Sequence, residues 1–260
     1  MVEQKRALER LPAGSMIGGN FNIVDQEKFA TAIKLLKESL WDNGATLFSA
    51  DNLITWNKNL SFLRDPFCYA ILTDDATSLE EKSIIWRTYI LLYFAEFASR
   101  AEGDFAEFGC YKGHTAWQIV KKLDFRRLRK RLFLYDLFEW KEGDAHSHHK
   151  ELDDPNLYHD VLERFRNFEF VTVIKGSVPG SFSQGLPEKI AFAHVDMNHP
   201  DPEVGALNAI LPRLTSGGVV ILDDYGWWGY SRQKVALDPI IREYGLKVLE
   251  LPTGQGLVIS

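Results

Sequence analysis

Cysteine is nearly missing from this chain: Cys68 and Cys110 are the only two among 260 residues. Neither stands in a metal-ligand spacing, and one distant pair is no disulfide framework, so the sequence predicts a cytoplasmic protein. Positive charge is not in excess either, with a formal net charge of −6 and a pI of about 5.7. That balance excludes a nucleic-acid backbone or an anionic membrane surface as the main partner. The one basic run, KKLDFRRLRKR (121–131), reads as a solvated helix face ahead of a strand. Long apolar runs are lacking: the greasiest stretch, SIIWRTYILLYFAEFA (83–98), carries Arg87 and Glu96 and is too short to span a bilayer. It reads as a buried core helix. The segment MVEQKRALERLPAG (1–14) has no apolar h-region and is not expected to act as a signal peptide. Internal repeats, low-complexity segments and the dinucleotide fingerprint G-x-G-x-x-G are all missing, and the last absence counts against an NAD-type oxidoreductase.

What is present is a globular composition, 45% hydrophobic and 25% charged, enough for a packed core. Two regimes divide the chain. Residues 1–102 read as a helical segment. Asp25 caps a helix that stops by Gly44, SADNLITWNKNLSFL is a weaker helix or turn region, and Ser78 with Glu81 forms a capping-box pattern. From 103 to 260, apolar strands alternate with amphipathic helices, which implies a doubly wound α/β fold with a parallel sheet. The strands run from DFAEFG through RLFLYD, FVTVIKG and IAFAHVD to GVVILDD, and LKVLEL with GLVIS forms a closing hairpin. Pro239 should interrupt the helix RQKVALDPIIREYG.

In such sheets ligands bind beyond the carboxyl ends of the strands, where Asp136, Asp196, Asp223 and Asp224 all fall. AEFGCYKGHTA (106–116) is strand, glycine turn, helix. Gly109 and Gly113 permit a tight turn and a close backbone approach, and Glu107 suits a ligand with a cationic group rather than a pyrophosphate. Asp136 ends the next strand, where a carboxylate can accept both hydroxyls of a ribose. Ser177, in KGSVPGSF after the following strand, is placed to face an adenine edge.

These elements, in this order, resemble the class I S-adenosylmethionine-dependent methyltransferases, whose Rossmann-like seven-stranded sheet has a reversed last strand. GDFAEFGCYKGHTA, YDLFEW and HVDMNHPDPEVGALNAILPRLTSGGVVILDDYGW (194–227) look more narrowly like the macrocin O-methyltransferase (TylF/MycF-type) family, over roughly residues 80–245. The resemblance implies an enzyme that methylates a hydroxyl of a small molecule, a sugar or another secondary-metabolite acceptor, with a divalent metal. It implies that Glu107, Gly109, Gly113, Asp136 and Ser177 line the S-adenosylmethionine pocket and that Asp196, Asp223 and Asp224 hold the metal, magnesium being the expected ion. In this fold the strands ending at Asp196 and Asp223 are neighbours. Crowded carboxylates need a cation, and oxygen-only donors favour a hard one.

Many members of that family carry a second aspartate two residues after the first, as a plausible base; here the position is Asn198, which takes no proton. The candidates for a base are then Asp196 itself, a histidine of HSHH (146–149), or His199, the favoured choice, unless the metal makes a base unnecessary. The polar loop DAHSHHKELDDPN (144–156) reads as a lid or simply as a solvated loop, and Trp227, Trp228 and Tyr230 as an acceptor wall. The N-terminal helices are the expected source of acceptor specificity and of a homodimer interface. A binding protein of the same fold with lost chemistry is the competing reading.

Overall fold

A computed structural model describes residues 15–139 and 154–260 of the chain. The lid segment, with His146, His148 and His149, lies mostly outside them. Two compact units emerge, Met1–Tyr89 and Ile90–Ser260.

The first unit is not wholly helical. It opens on β1 (Met16–Ile17) and α1 (Gln26–Ser39), which Asp25 caps by accepting from Lys28 N–H at 2.9 Å. Strands β2 (Phe48–Ala50) and β3 (Leu53–Thr55) follow, where a helix or turn region is expected. β1 pairs parallel to β2, and β2 antiparallel to β3. The cause is the connection: Asp51 and Asn52 both have positive φ, +53° and +56°, the backbone of a two-residue hairpin turn that aspartate and asparagine tolerate. Then come α2 (Pro66–Thr73), α3 (Leu79–Ser83) and α4 (Ile85–Ala98). The expected capping box stands at the start of α3, with Ser78 and Glu81 satisfying each other's backbone N–H groups. Phe48, Phe62, Trp86 and Tyr89 pack ring against ring. Arg87 clamps Asp51 bidentately, Nε to Oδ2 at 2.6 Å and Nη2 to Oδ1 at 2.5 Å, which ties α4 to the hairpin turn.

The second unit holds the expected sheet. Its elements are β4 (Asp104–Phe108), α5 (His114–Lys122), α6 (Phe125–Leu128), β5 (Leu132–Asp136), α7 (Leu157–Phe165), β6 (Val171–Lys175), β7 (Ile190–Val195), α8 (Pro200–Ile210), β8 (Leu214–Leu222), α9 (Ser231–Glu243), β9 (Leu249–Glu250) and β10 (Gly256–Ile259). The seven strands lie in the order β6-β5-β4-β7-β8-β10-β9. All pairs are parallel except those of β10, which runs antiparallel to both β8 and β9. The reversed strand is the closing hairpin read from the sequence. Buried apolar residues fill both faces, Ala106, Phe108, Ala193, Val195, Val220 and Leu222 on one and Phe105, Phe192, Val219 and Ile221 on the other, as parallel strands covered by helices require. Pro239 does not interrupt α9, which continues through it. The basic run 121–131 is mostly exposed, but Lys130 is buried and donates to the carbonyls of Ala101 and Gly103. None of the described helices is long and apolar enough to cross a membrane.

Candidate active site

The strand order reverses between β4 and β7, so the loops leaving these strands diverge and open a crevice at their carboxyl ends. Backbone hydrogen bonds stitch that rim together. Asp196 N–H donates to Phe108 O at 2.8 Å, Asp223 N–H to Val195 O at 2.9 Å, and Gly109 N–H to Tyr135 O at 2.8 Å. The ends of four adjacent strands thus carry Asp136, Gly109, Asp196 and Asp223.

Gly109 has φ +88°, and a Cβ there would lie 1.8 Å from the Asp196 carbonyl oxygen, so no other residue fits. Gly113 also has positive φ, +70°, but a Cβ on it would meet the Phe165 ring at 2.8 Å. Packing against α7 therefore accounts for Gly113 without a ligand. The turn between the two glycines folds back on Asp136. Tyr111 N–H donates to Oδ2 and Phe138 N–H to Oδ1, both at 2.7 Å. Burial raises the Asp136 pKa above the ordinary carboxylate value, and these N–H groups oppose the rise. Both oxygens are held in fixed directions and keep lone pairs for further donors. Ser177 lies exposed just past β6, its carbonyl accepting from Ser181 N–H at 2.8 Å.

Glu107 does not stand open to a ligand. Only 3% exposed, it sets Oε1 2.8 Å from Nδ1 of His194, a residue the sequence reading passed over. Register explains the pairing: Glu107 lies beside His194 across β4 and β7, and His194 beside Ile221 across β7 and β8. Side chains alternate along a strand, so Asp196, two after His194, and Asp223, two after Ile221, continue on that face. His194 Nε2 lies 3.5 Å from Asp223 Oδ1, and donor atoms of His194, Asp196 and Asp223 all fall within 4.8 Å of one another. Asp224 is outside this group, since adjacent residues at a strand end face opposite ways. Burial alone depresses the His194 pKa. Asp223 and Glu107 outweigh burial and hold it well above the ordinary value.

Asn198 has a definite place. Its backbone is left-handed, φ +57°, and its Nδ2 donates to Asp196 Oδ1 at 3.2 Å, so it orients the carboxylate instead of taking a proton. His199 is exposed and caps α8, its Nδ1 accepting from Asp201 N–H at 3.3 Å. That nitrogen is committed to its own helix, and the ring does not join the cluster. Two further residues support the rim. Glu203, 4% exposed, accepts from Met197 N–H at 3.2 Å and from Gln233 Nε2 at 2.6 Å. Burial, opposed by those donors and aided by the charge of Asp224, pushes its pKa up to about 8. Gln255, fully buried in the hairpin turn, donates from Nε2 to Asp223 Oδ1 at 2.9 Å and accepts from Thr253 Oγ1. Trp227 packs on Gly254 of the same turn, whereas Trp228 is exposed.

Comparison with known proteins agrees with this architecture. Residues 106–225 match the family described as a methyltransferase domain. Among solved structures, the O-methyltransferase NovP is 17% identical, with 66% of this chain and 78% of that one covered and a TM-score of 0.55. The calicheamicin methyltransferase CalS11 is 14% identical, with 79% and 94% covered and a TM-score of 0.52. At such identities both show a shared fold. No curated relative matches the chain by sequence. The segment similar to a methyltransferase domain thus spans the sheet from β4 to the turn after β8, and the second unit has the fold of the class I S-adenosylmethionine-dependent methyltransferases.

Proposed function

We propose that this chain is a metal-dependent O-methyltransferase of the macrocin (TylF/MycF-type) group, moving the methyl of S-adenosylmethionine to a hydroxyl of a small-molecule acceptor. The observation that carries the reading is the convergence of Asp196 and Asp223 at the strand ends next to the Gly109 turn. The two solved neighbours, an O-methyltransferase and a calicheamicin methyltransferase, support a sugar or another secondary-metabolite acceptor.

The residues present fit both groups that such chemistry needs. For the donor, Gly109 leaves bare backbone at the rim, Asp136 offers two oriented oxygens to ribose hydroxyls, and Ser177 stands on the loop of the next strand but one. Glu107 acts on this side through His194, and Gly113 lets α5 begin close to the turn. For the metal, Asp196 and Asp223 supply oxygens within one cluster, and Asp224, the third ligand that the family resemblance implies, follows directly in the chain. When bound, a divalent cation lowers the pKa of a coordinated hydroxyl and fixes its position. The chain's own work is orientation: Asn198 steers Asp196, Gln255 steers Asp223, and the rim holds acceptor oxygen and donor methyl in line, where proximity contributes up to about 7–11 kcal/mol. With Asn198 unable to accept a proton, Asp196 is the nearest base in the cluster and His199 the one at its margin. The first unit supplies acceptor specificity, and a homodimer is the expected assembly.

A tritiated-methyl assay over a panel of hydroxylated small molecules tests the reading. Label should appear on oxygen, and EDTA or Asp223→Ala should abolish it. Full transfer in EDTA would remove the metal from the proposal, and label on nitrogen or carbon would change the reaction type.

A further inference from the structure

The side chains that meet beside Asp196 and Asp223 are not all carboxylates. His194 is 2% exposed, and its Nε2 has no hydrogen-bond partner among the described residues. Asp223 Oδ1 faces it as a charge partner, too far for a well-formed hydrogen bond, so the nitrogen has room for another occupant. The atom is aimed at the two aspartates, 3.5 Å from Asp223 Oδ1 and within 4.8 Å of an Asp196 oxygen. Donors held at about 2.0–2.2 Å from one ion sit roughly 3–4 Å apart, a range that the His194–Asp223 pair meets as it stands and that an Asp196 oxygen borders. The other ring nitrogen, Nδ1, faces Glu107 Oε1 at 2.8 Å. A carboxylate on the far nitrogen is the usual support of a metal-bound histidine, since it fixes the tautomer and raises the basicity of the ligating atom.

We propose that His194 Nε2 is a metal ligand together with Asp196 and Asp223, that Glu107 positions it, and that the site therefore takes a borderline divalent transition ion in preference to magnesium. Imidazole suits zinc, iron, nickel or copper, and magnesium takes oxygen; manganese also favours oxygen but, as a transition ion, accepts an imidazole nitrogen more readily than magnesium does. The proposal rests on the metal reading above and replaces Asp224 by His194 as the third donor.

Manganese is the probe. Protein grown with ¹⁵N-histidine and loaded with Mn²⁺ is examined by pulsed electron paramagnetic resonance, and calorimetry compares Mn²⁺ with Mg²⁺. The expected result is a directly bound histidine nitrogen, seen in the wild-type protein and in His199→Gln but lost in His194→Gln, with Mn²⁺ bound at least tenfold more tightly than Mg²⁺. Glu107→Gln should weaken Mn²⁺ binding about 10–100-fold while the nitrogen coupling persists. Because the coupling is read on the wild-type protein, poor folding of a variant leaves the test intact. Mn²⁺ bound with no histidine nitrogen overturns the proposal and leaves a metal-dependent enzyme with an oxygen shell. Methyl transfer in EDTA with no divalent ion bound overturns both readings.

Discussion

The carbonyl oxygen of Asp196 lies 1.8 Å from where a Cβ on residue 109 would be, so two strand ends meet through backbone alone. A Gly109→Ala substitution has to move the Asp196 loop and also force a left-handed alanine, itself worth about 1–2 kcal/mol. Thermal denaturation should fall by several degrees, and calorimetric binding of S-adenosylhomocysteine should be lost. A Gly109→Ala protein that binds it normally would show that the rim yields easily.

Glu203 makes the fold sensitive to alkali. Its pKa is pushed up to about 8, chiefly by burial, against an unfolded value near 4.5. Below 4.5 both states hold the proton and no stability is lost. Between 4.5 and 8 the unfolded chain ionises first, so stability falls as pH rises, by up to a few kcal/mol. Glu203→Gln keeps an acceptor for Met197 and Gln233 and removes the charge. It should match the wild-type melting temperature near pH 5 and exceed it near pH 8, at roughly 2–4 °C per kcal/mol. Parallel melting curves across that window would refute the assignment.

Gln255 is a positioning residue on the terminal hairpin. Gln255→Leu keeps most of the volume but withdraws the donor from Asp223 Oδ1. A stability loss of about 1–3 kcal/mol is expected. Methyl transfer should drop about 10–100-fold at saturating S-adenosylmethionine, the usual cost of losing a partner of a ligand. Unchanged turnover in a folded Gln255→Leu protein would reduce the residue to a structural one.

The Arg87–Asp51 clamp anchors the hairpin of the first unit, with side chains only 11% and 4% exposed. Arg87→Ala removes both prongs of the clamp from a buried carboxylate and should cost up to about 3–5 kcal/mol. Arg87→Lys restores the charge but not the two-pronged geometry, and should recover only part of it. Equal melting points for the lysine and wild-type proteins would mean that charge alone matters.

The large sheet was legible because its strands are short apolar runs that end in turn residues, and the order of helices between them dictates parallel pairing. Asp136, Asp196 and Asp223 were found because a charge at the end of such a run has no core role. His194 escaped notice for the converse reason: inside IAFAHVD it reads as one polar residue in a buried strand. Only the register, which sets it beside Glu107 and on the face of Asp223, gives it partners. Asp224 was grouped with Asp223 on the family resemblance, which speaks to position along the chain and not to the direction of the side chain. The Asp51–Asn52 hairpin was hidden because three-residue strands give too few alternations to register as a pattern.

The outermost strands of the large sheet have an implication for association between copies. Among the described residues, one margin is β9, two residues long, and the other is β6, which ends at the exposed Lys175 near Glu139. A margin so short, or so charged at its end, offers a poor template for another strand, the device by which sheets resist edge-to-edge aggregation. Copies that meet on this second unit should therefore do so through helix or loop surfaces, and its sheet should not template fibres in a concentrated sample.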